Sequence, residues 1–462
     1  MKGESLKSEK PIEQIEGEFV ERYASIAERN NLFDPAFYEK YNVKRGLRNT
    51  DGSGVVVGLT EIGEVHGYII DEGEKTDAPG RLRYRGYDIK DVVSGFQTEK
   101  RFGFEETAFL LLFGNLPQAQ ELQDFSSLLG SLRQLPRGFV EDVILRFPSP
   151  DIMNQLARSV LFTYSFDSDP ENNSIKNILR QSVELISRFP IYIAYSYQAK
   201  RHYYDKHSLS IHHPQPGLST AENFLYMIRP DNAFTRLEAE ILDLAMVLHA
   251  EHGGGNNSTF AIRLVSSAGT DTYSAMGSAI GSLKGIKHGG ANIRVMRMVD
   301  DIKANCPQWD QDDQLSLYLE RMIRKEVFDQ QGLVYGMGHA VYTLSDPRAE
   351  LLKAKASQLA VEKGQEKNFQ LYEAIERLTP LVMRKVKGTQ KAICANIDLY
   401  SGFVYEMLGL PRELYTPIFA MARVAGWSAH RIEEIVSGGR IIRPAYKNVS
   451  ECFDYKPLAQ RT

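Results

Sequence analysis

Apolar residues recur at helical spacing along most of this chain, from residue 104 nearly to its end. The clearest series is Leu237, Ile241, Leu244 and Leu248, and His252 is the next position of the same series. Positions three and four apart share one face of an α-helix, so each series predicts a helix with one buried face. Further helices are predicted over residues 104–114, 315–328, 374–387 and 424–436. The pattern is typical of a mainly α protein.

Capping and breaking residues set the predicted ends of these helices. Asp151 is a predicted N-cap, Gly114 and the glycine pair at 438–439 are predicted C-terminal stops, and Pro380 predicts a bend or break. Residues 190–201, PIYIAYSYQAKR, stay open between strand and helix, because their isoleucines and tyrosines alternate while the flanking residues favour a helix.

One stretch near the N-terminus lacks the helical period. Between residues 55 and 89, the runs VVVG, VHGYII and RLRYRGYDI are separated by DEGE and DAPG, which we interpret as turns. This predicts a small β element of two or three strands. Before it, about sixteen polar residues predict a mobile tail. A short amphipathic helix should follow, with an apolar face of Phe19, Val20, Tyr23, Ile26 and Ala27.

Composition excludes several classes of function. The net charge of −4 gives no bulk attraction to nucleic acid or to an acidic membrane surface. No apolar run approaches the roughly 18 residues of a membrane span, and the polar N-terminus lacks a secretory signal. Cys306, Cys394 and Cys452 share no metal-ligand spacing and are typical of reduced thiols. We expect a cytoplasmic protein that binds neither nucleic acid nor membranes.

Three histidines stand beside glycines: His252 before GGG, His288 before GG, and His339 after Gly338. Glycine lets the backbone approach a ligand closely, and imidazole exchanges a proton near neutral pH. The alternative is a histidine at a helix end beside a glycine cap, which would be structural. Three cases within about ninety residues favour a binding or catalytic site.

Two further groups of residues suggest ligand chemistry. His249, Glu251 and His252 could bind a metal, but the zinc-peptidase spacing is absent and no cysteine lies near, so we expect no metal. Three arginines could instead clamp the carboxylates of a di- or tricarboxylate, since each guanidinium offers a planar fork. These are Arg348, Arg423 and Arg443, each of which could also be a surface salt-bridge partner.

Asp398 lies in NIDLYSGFVYE, among apolar residues and just ahead of a helix predicted to start near Ser401. It is either the N-cap of that helix or a general base.

The motifs HAEHGGGNNSTF, LKGIKHGGAN, GHAVYTLSDPR, NIDLYSGFVYE, IFAMARVAGW and RIIRP occur in the order in which the citrate synthase family has them, and the chain closely resembles that family from about residue 81 to 447. The resemblance implies a two-domain, all-helical fold with a small N-terminal β element. It implies a large dimer-forming domain of residues 1–289 and 402–462, and a small domain of 290–401 that closes over the site. The implied partners are acetyl-CoA, oxaloacetate and a second copy of the chain, with no cofactor, in the tricarboxylic acid cycle.

The resemblance also assigns a role to each candidate residue. It implies that His288 and Asp398 act on the acetyl group and that His339 binds the keto carbonyl of oxaloacetate. It further implies that His252, Arg348, Arg423 and Arg443 bind oxaloacetate, with Arg443 reaching across from the partner subunit, and that Phe419 packs near the reacting centre. We expect His288 to be neutral, because a helix should start directly after Gly289 and Gly290, and a helix N-terminus disfavours imidazolium.

Two positions depart from the family pattern, because Thr343 and Ala445 stand where basic residues often meet the phosphates of coenzyme A. The close alternative is a 2-methylcitrate synthase using propionyl-CoA, and no residue of the sequence decides between the two thioesters. A metal-dependent hydrolase on His249, Glu251 and His252, and a catalytically silent binding module, are alternatives of other classes.

Overall fold

The computed structural model describes residues 12–50, 52–71, 74–389 and 392–461. The chain forms two compact units. The terminal unit comprises the described residues up to Gly58 together with those from Arg443 onward, and the main unit spans residues 59–442. Among the residues that the structure describes, no helix is long and apolar enough to cross a membrane.

The terminal unit contains α1 (Ile12–Asn30) and α2 (Ala36–Lys40). The predicted N-terminal helix is present, but it begins at Ile12, so the predicted tail was too long; the residues before Ile12 lie outside the described residues. The rings of Phe19 and Tyr23 contact each other on this helix, with centroids 4.6 Å apart at an interplanar angle of 41°. The C-terminal segment packs with this unit, since Lys447 Nζ lies 5.5 Å above the ring of Tyr41.

The predicted β element is an antiparallel sheet with the strand order β1-β2-β3: β1 (Gly63–Asp71), β2 (Glu74–Tyr84) and β3 (Tyr87–Asp88). Two details were wrong, because VVVG forms no strand and DAPG lies inside β2 at an irregularity opposite Gly67. Gly67 is required there, since a Cβ would lie 2.5 Å from the carbonyl oxygen of Val341. The turn predicted at DEGE lies partly outside the described residues.

The rest of the main unit is helical, which confirms the predicted mainly α fold with a small N-terminal sheet. In chain order the helices are α3 (Ile89–Thr98), α4 (Phe104–Phe113), α5 (Ala119–Ser131), α6 (Ile152–Thr163), α7 (Ile175–Tyr203), α8 (Thr220–Ile228), α9 (Arg236–His249), α10 (Asn257–Ser266), α11 (Thr272–Lys284), α12 (Ala291–Asn305), α13 (Asp312–Ile323), α14 (Pro347–Glu362), α15 (Glu366–Lys387), α16 (Ile397–Met407) and α17 (Tyr415–Val436).

Local sequence signals explain several of these helix ends. Gly114 closes α4 in the left-handed conformation with φ of 87°, and Asp151 caps α6 by accepting from the backbone N–H of Asn154 at 2.6 Å. The ambiguous segment 190–201 is helical within α7, and Pro380 lies inside α15 without ending it. The helix predicted over 315–328 already ends at Ile323.

The core of the main unit is organised around α7 and α17, which pack against each other and carry long buried stretches. Among the side chains of α17, Trp427, Arg423 and Arg431 are fully buried. A helix that buries arginines must supply partners for them, so its surroundings are polar as well as apolar. The predicted small domain, residues 290–401, contains α12 to α15 and the start of α16, and its boundary stays a prediction.

Candidate active site

The candidate side chains of the main unit come from the ends of helices and the loops between them. The structure places them as follows: His252 just after α9, His288 between α11 and α12, His339 after α13, Arg348 in the first turn of α14, Asp398 in the first turn of α16, and Phe419 and Arg423 within α17. His252 was wrongly predicted to continue the stripe of α9, because that helix ends at His249.

One group of aromatic rings joins His252 and His339. Their ring centroids are 5.1 Å apart at an interplanar angle of 90°. Tyr342 stacks on His339 with centroids 4.6 Å apart, and it lies 5.6 Å from His252. The guanidinium carbon of Arg348 lies 5.8 Å from the centroid of Tyr342. Two predicted ligands of oxaloacetate therefore lie beside the predicted carbonyl donor.

A second group is centred on Phe419. Its ring centroid lies 6.2 Å from that of His288 and 4.7 Å from that of His249, and the guanidinium carbon of Arg423 is 4.7 Å from its centroid. The two groups are close enough for their charges to interact, because the charge of Arg423 lowers the pKa values of both His288 and His252. The two groups contain six of the seven candidate residues of the main unit, and the seventh, Asp398, interacts electrostatically with Arg348 and Arg423.

Two hydrogen bonds to the ring of His339 determine which of its nitrogens carries the proton. Its Nδ1 accepts from the backbone N–H groups of Val341 at 3.0 Å and Tyr342 at 3.1 Å. A nitrogen that accepts two amide hydrogen bonds cannot also carry a proton. The ring proton is therefore on Nε2, and His339 can donate one hydrogen bond from that atom.

His288 lies next to a buried hydroxyl that the sequence did not indicate. Its Nε2 is 3.1 Å from Ser258 Oγ, which also accepts from the indole N–H of Trp427 at 3.1 Å and lies 3.0 Å from Asn256 Oδ1, so the single hydroxyl proton can go either to His288 Nε2 or to Asn256. Burial and the charge of Arg423 lower the pKa of His288 to about 4. A pKa lowered by burial and by Arg423 favours a neutral ring at pH 7.

His252 is also neutral, and its outer nitrogen is open. Burial, followed by Arg348, His339 and Arg423, lowers the pKa of His252 well below its usual value. Its Nε2 is buried and has no hydrogen-bond partner in the described part of the chain. A buried ring nitrogen without a partner is costly unless a ligand satisfies it, so this atom is typical of a binding site.

The metal hypothesis rested on His249, Glu251 and His252. His249 Nδ1 lies 2.7 Å from the carbonyl oxygen of Ala245, and burial lowers the pKa of His249 to about 3. Within the described ranges, no group of three His, Cys, Asp or Glu side chains is arranged to hold a metal ion.

The two candidate arginines of the main unit, Arg348 and Arg423, differ in how many of their guanidinium nitrogens already have a hydrogen-bond partner. Arg348 donates through Nε and Nη2 to the buried carboxylate of Asp346 at 3.0 and 2.7 Å. Arg423 donates through Nε to the carbonyl oxygen of His249 at 2.5 Å, while its Nη1 and Nη2 have no partner among the described residues. An ionised fork with two free nitrogens can take one carboxylate in bidentate fashion. Burial lowers the pKa of Arg423 only to about 10, so it stays charged.

Asp398 does not cap its helix, contrary to one of the two hypotheses drawn from the sequence. Helix α16 begins at Ile397, and the side chain of Asn396 caps it by accepting from the backbone N–H of Asp398 at 3.0 Å. Burial raises the pKa of Asp398 to about 6, with Arg348 opposing the rise. A carboxylate with this pKa is a stronger base than an ordinary aspartate and remains mostly ionised at pH 7.

A cavity of about 220 Å³ borders His339 and Tyr342. Its remaining lining is mostly apolar, including Val334, Met337 and Met383. Thr343, the departure noted in the sequence, is buried and donates to the carbonyl oxygen of Gly67 at 3.3 Å. Thr343 therefore stabilises the packing of β1. A residue that binds a phosphate of coenzyme A must be accessible at the surface, and Thr343 is not.

Arg443 belongs to the terminal unit and is exposed. Its predicted role at the site of a partner subunit stays a prediction, and so do the roles of the other candidate residues.

A family model described as "Citrate synthase, C-terminal domain" matches residues 49–445. The chain is 33% identical over 427 residues to a citrate synthase of Haloferax volcanii, which covers 91% of this chain and 99% of the relative. It is 31% identical over 368 residues to a 2-methylcitrate synthase of Shewanella oneidensis, which covers 79% of this chain and 87% of the relative.

Solved structures give the same result. A citrate synthase from the thermophilic archaeon Thermoplasma acidophilum, solved as a ternary complex with carboxymethyl coenzyme A and oxaloacetate, aligns with a TM-score of 0.72 and 26% identity. The alignment covers 91% of this chain and 99% of that chain.

Proposed function

The chain belongs to the citrate synthase family and is an enzyme of the acyltransferase type, and we propose that it condenses acetyl-CoA with oxaloacetate and water to give citrate and CoA. One observation carries the proposal: Asp398, with a raised pKa, shares an electrostatic neighbourhood with neutral His288 and with Arg348 and Arg423. That is the combination needed to remove a proton from carbon and stabilise the resulting charge.

The first step is enolisation of the acetyl thioester. Asp398 takes a proton from the methyl carbon, and the electron pair moves onto the thioester oxygen. A general base supplies only roughly 10²- to 10⁴-fold, so the oxygen needs a donor at the same moment. His288 is that donor, and a positioned donor contributes on the order of 10²- to 10³-fold. Its lowered pKa favours a hydrogen bond from a neutral ring over complete proton transfer.

The second step joins the enolate carbon to the keto carbon of oxaloacetate. His339 donates from Nε2 to the keto oxygen and stabilises the alkoxide that forms, while Arg423 and Arg348 hold the two carboxylates. Holding both reactants in one orientation replaces a bimolecular encounter and can supply several kcal/mol, up to about 7–11 in ideal cases. Water then hydrolyses the citryl thioester and releases citrate and CoA thiol.

The assembly that completes the site is a homodimer in which Arg443 of one chain reaches the site of the other. The apolar cavity beside His339 takes part of coenzyme A, and the Thermoplasma acidophilum relative was solved with carboxymethyl coenzyme A. Residues 290–401 close over both substrates and exclude water from the first step. The chemistry needs no metal or cofactor, and the enzyme acts in the cytoplasm.

A second candidate is 2-methylcitrate synthesis from propionyl-CoA, which the Shewanella oneidensis relative favours. The added methylene alters binding by only about 1–3 kcal/mol, so both thioesters can react at different rates.

The test measures free thiol and citrate after mixing acetyl-CoA with oxaloacetate. We expect one thiol for each citrate, no thiol from either substrate alone, and no loss of activity with a chelator. Thiol released from acetyl-CoA without oxaloacetate would indicate a hydrolase and would overturn the proposal. The same assay with propionyl-CoA at equal concentration ranks the two thioesters.

A further inference from the structure

Glu251 is the acidic residue of the HAEH motif, and the reaction above gives it no role. It is fully buried between β1 and α17. Its Oε1 accepts from the backbone N–H of Gly253 and lies 3.0 Å from His430 Nε2. Burial opposes ionisation, but His430, Arg423 and the Gly253 N–H together hold the pKa of Glu251 below its usual value. The carboxylate is therefore ionised inside the protein, where a charge persists only if its surroundings are arranged for it.

His430, on α17, is oriented by an arginine on its other side. Its Nδ1 accepts from Arg263 Nε at 3.0 Å. An arginine side chain always donates, so Nδ1 carries no proton and the ring proton lies on Nε2. Arg263 is in turn held by Glu434 at 2.9 Å and by Glu433. The ring is thus fixed in the tautomer that places the Nε2 proton on the side of Glu251, in a close polar contact with Oε1 that is not aligned as a hydrogen bond.

The backbone around Glu251 is shaped to admit its side chain. A Cβ on Gly63, at the start of β1, would lie 2.8 Å from Glu251 Cγ. A Cβ on Gly426 of α17 would overlap the carbonyl oxygen of Ala250 and lie 2.5 Å from Glu251 Oε2. The strand and the helix therefore approach the carboxylate more closely than any residue with a side chain allows.

The contact between Glu251 and His430 joins two parts of the oxaloacetate site. The loop of residues 249–254 carries His252 and the carbonyl oxygen of His249, to which Arg423 Nε donates at 2.5 Å. Helix α17 carries Arg423 and His430, two turns apart on one face. Loss of the contact would let the loop shift relative to the helix, so His252 and the fork of Arg423 would no longer match the same ligand.

We propose that Glu251 and His430 are positioning residues that set the spacing between His252 and Arg423 and thereby the affinity for oxaloacetate. The inference rests on the proposed function. Neither residue touches substrate, and what matters is the reach of the two side chains rather than the charge of the carboxylate.

The first test compares His430→Gln with His430→Asn. Glutamine offers an oxygen to Arg263 and an N–H to Glu251 over the span of the imidazole, whereas asparagine is one methylene too short to do both. We expect the KM for oxaloacetate to stay within about threefold of wild type in His430→Gln and to rise at least about tenfold in His430→Asn. The KM for acetyl-CoA should be equal in all three proteins, and kcat should change much less than the KM for oxaloacetate.

The second test makes the same comparison from the other partner and covers the case in which a His430 variant does not fold. Glu251→Gln keeps the reach and removes the charge, and Glu251→Asp keeps the charge and shortens the reach. We expect only Glu251→Asp to raise the KM for oxaloacetate by about tenfold or more. Equal values in both variants, or a larger effect in Glu251→Gln, would overturn the inference.

A binding measurement separates this inference from the proposed function. Oxaloacetate alone should raise the melting temperature of the wild-type protein, and the same concentration should raise it less in His430→Asn than in His430→Gln. No rise in wild type would contradict the proposed function. A rise that is equal in all three proteins would contradict the positioning role while leaving the proposed function intact.

Discussion

Replacing Asp398 with asparagine should produce an enzyme that is nearly inactive and yet more stable than wild type at pH 8. The substitution removes the base from the first step but keeps the shape of the side chain. We expect turnover to fall at least about 10²-fold, because general-base catalysis supplies roughly 10² to 10⁴. Binding of oxaloacetate should be almost unchanged, since Asp398 acts on the other substrate.

The gain in stability follows from the pKa. Burial raises the pKa of Asp398 to about 6, whereas it is about 3.9 in an unfolded chain. The folded state therefore favours the protonated form, and wild type loses stability as the pH rises from about 4 through 6. At about 1.4 kcal/mol per pH unit, the full cost of ionisation above pH 6 is about 3 kcal/mol. Because the side chain is partly exposed, solvent screening reduces this, and about 1–3 kcal/mol is expected.

Urea unfolding of wild type and Asp398→Asn at pH 8 and pH 5 measures the effect. The stability advantage of the variant should be greatest at pH 8 and fall to about half by pH 5, where the folded carboxyl is mostly protonated. Asp312→Asn is the control, because a hydrogen bond from Arg377 lowers the pKa of Asp312 and the variant should gain nothing at pH 8. A less stable Asp398→Asn at pH 8, or an advantage that grows towards pH 5, would refute the reasoning.

Three further predictions concern the same site. The kcat/KM for acetyl-CoA should fall about tenfold per pH unit below about pH 6, because Asp398 must be ionised. Protonation of His288, with a pKa of about 4, should not affect the profile above pH 5. A flat profile down to pH 5 would exclude Asp398 as the base. Ser258→Ala removes the hydroxyl beside His288 and should lower kcat about 10- to 100-fold at unchanged KM for oxaloacetate. The control is Ser278→Ala, which should match wild type because the Ser278 hydroxyl donates to the carbonyl oxygen of Ala275 within its own helix. Equal kcat values in the two variants would show that Ser258 does not orient the ring. Arg443→Ala should raise the KM for oxaloacetate, and mixed dimers with an Asp398→Asn chain should recover activity at one site; failure to recover would place Arg443 at the site of its own chain.

Much of the fold could be predicted because local signals agreed with tertiary packing. The stripe on α9, the N-cap at Asp151 and the stop at Gly114 are all read from residues close in sequence. The signals failed where packing overrode them. DAPG looks like a turn, but it lies inside β2, whose glycine lets the strand pack against the loop at Ser345. Asn396 caps α16 although the sequence offered Asp398 as the cap, so the carboxylate of Asp398 does not serve the helix end.

The candidate site could be predicted only as far as residue type and short-range context carry chemistry. Glycine-flanked histidines stand out in a sequence, but the partners that orient them do not. Ser258 and Tyr342 lie thirty residues and three residues from the histidines that they contact, and neither position carries a signal of its own. The sequence gives Glu251 a role only in the metal alternative, because its partner His430 lies on a distant helix. Contacts of this kind exist only once the chain has folded.

The most direct measurement of the central claim is exchange of solvent deuterium into the methyl group of acetyl-CoA. Malate carries the two carboxylates of oxaloacetate without its ketone, so it can fill the arginine site while the enolate has nothing to attack. In heavy water with malate, wild-type enzyme should deuterate acetyl-CoA without releasing thiol, and Asp398→Asn should do so at least about 10²-fold more slowly. Equal exchange by the folded variant, or no exchange by an enzyme that makes citrate, would contradict the account.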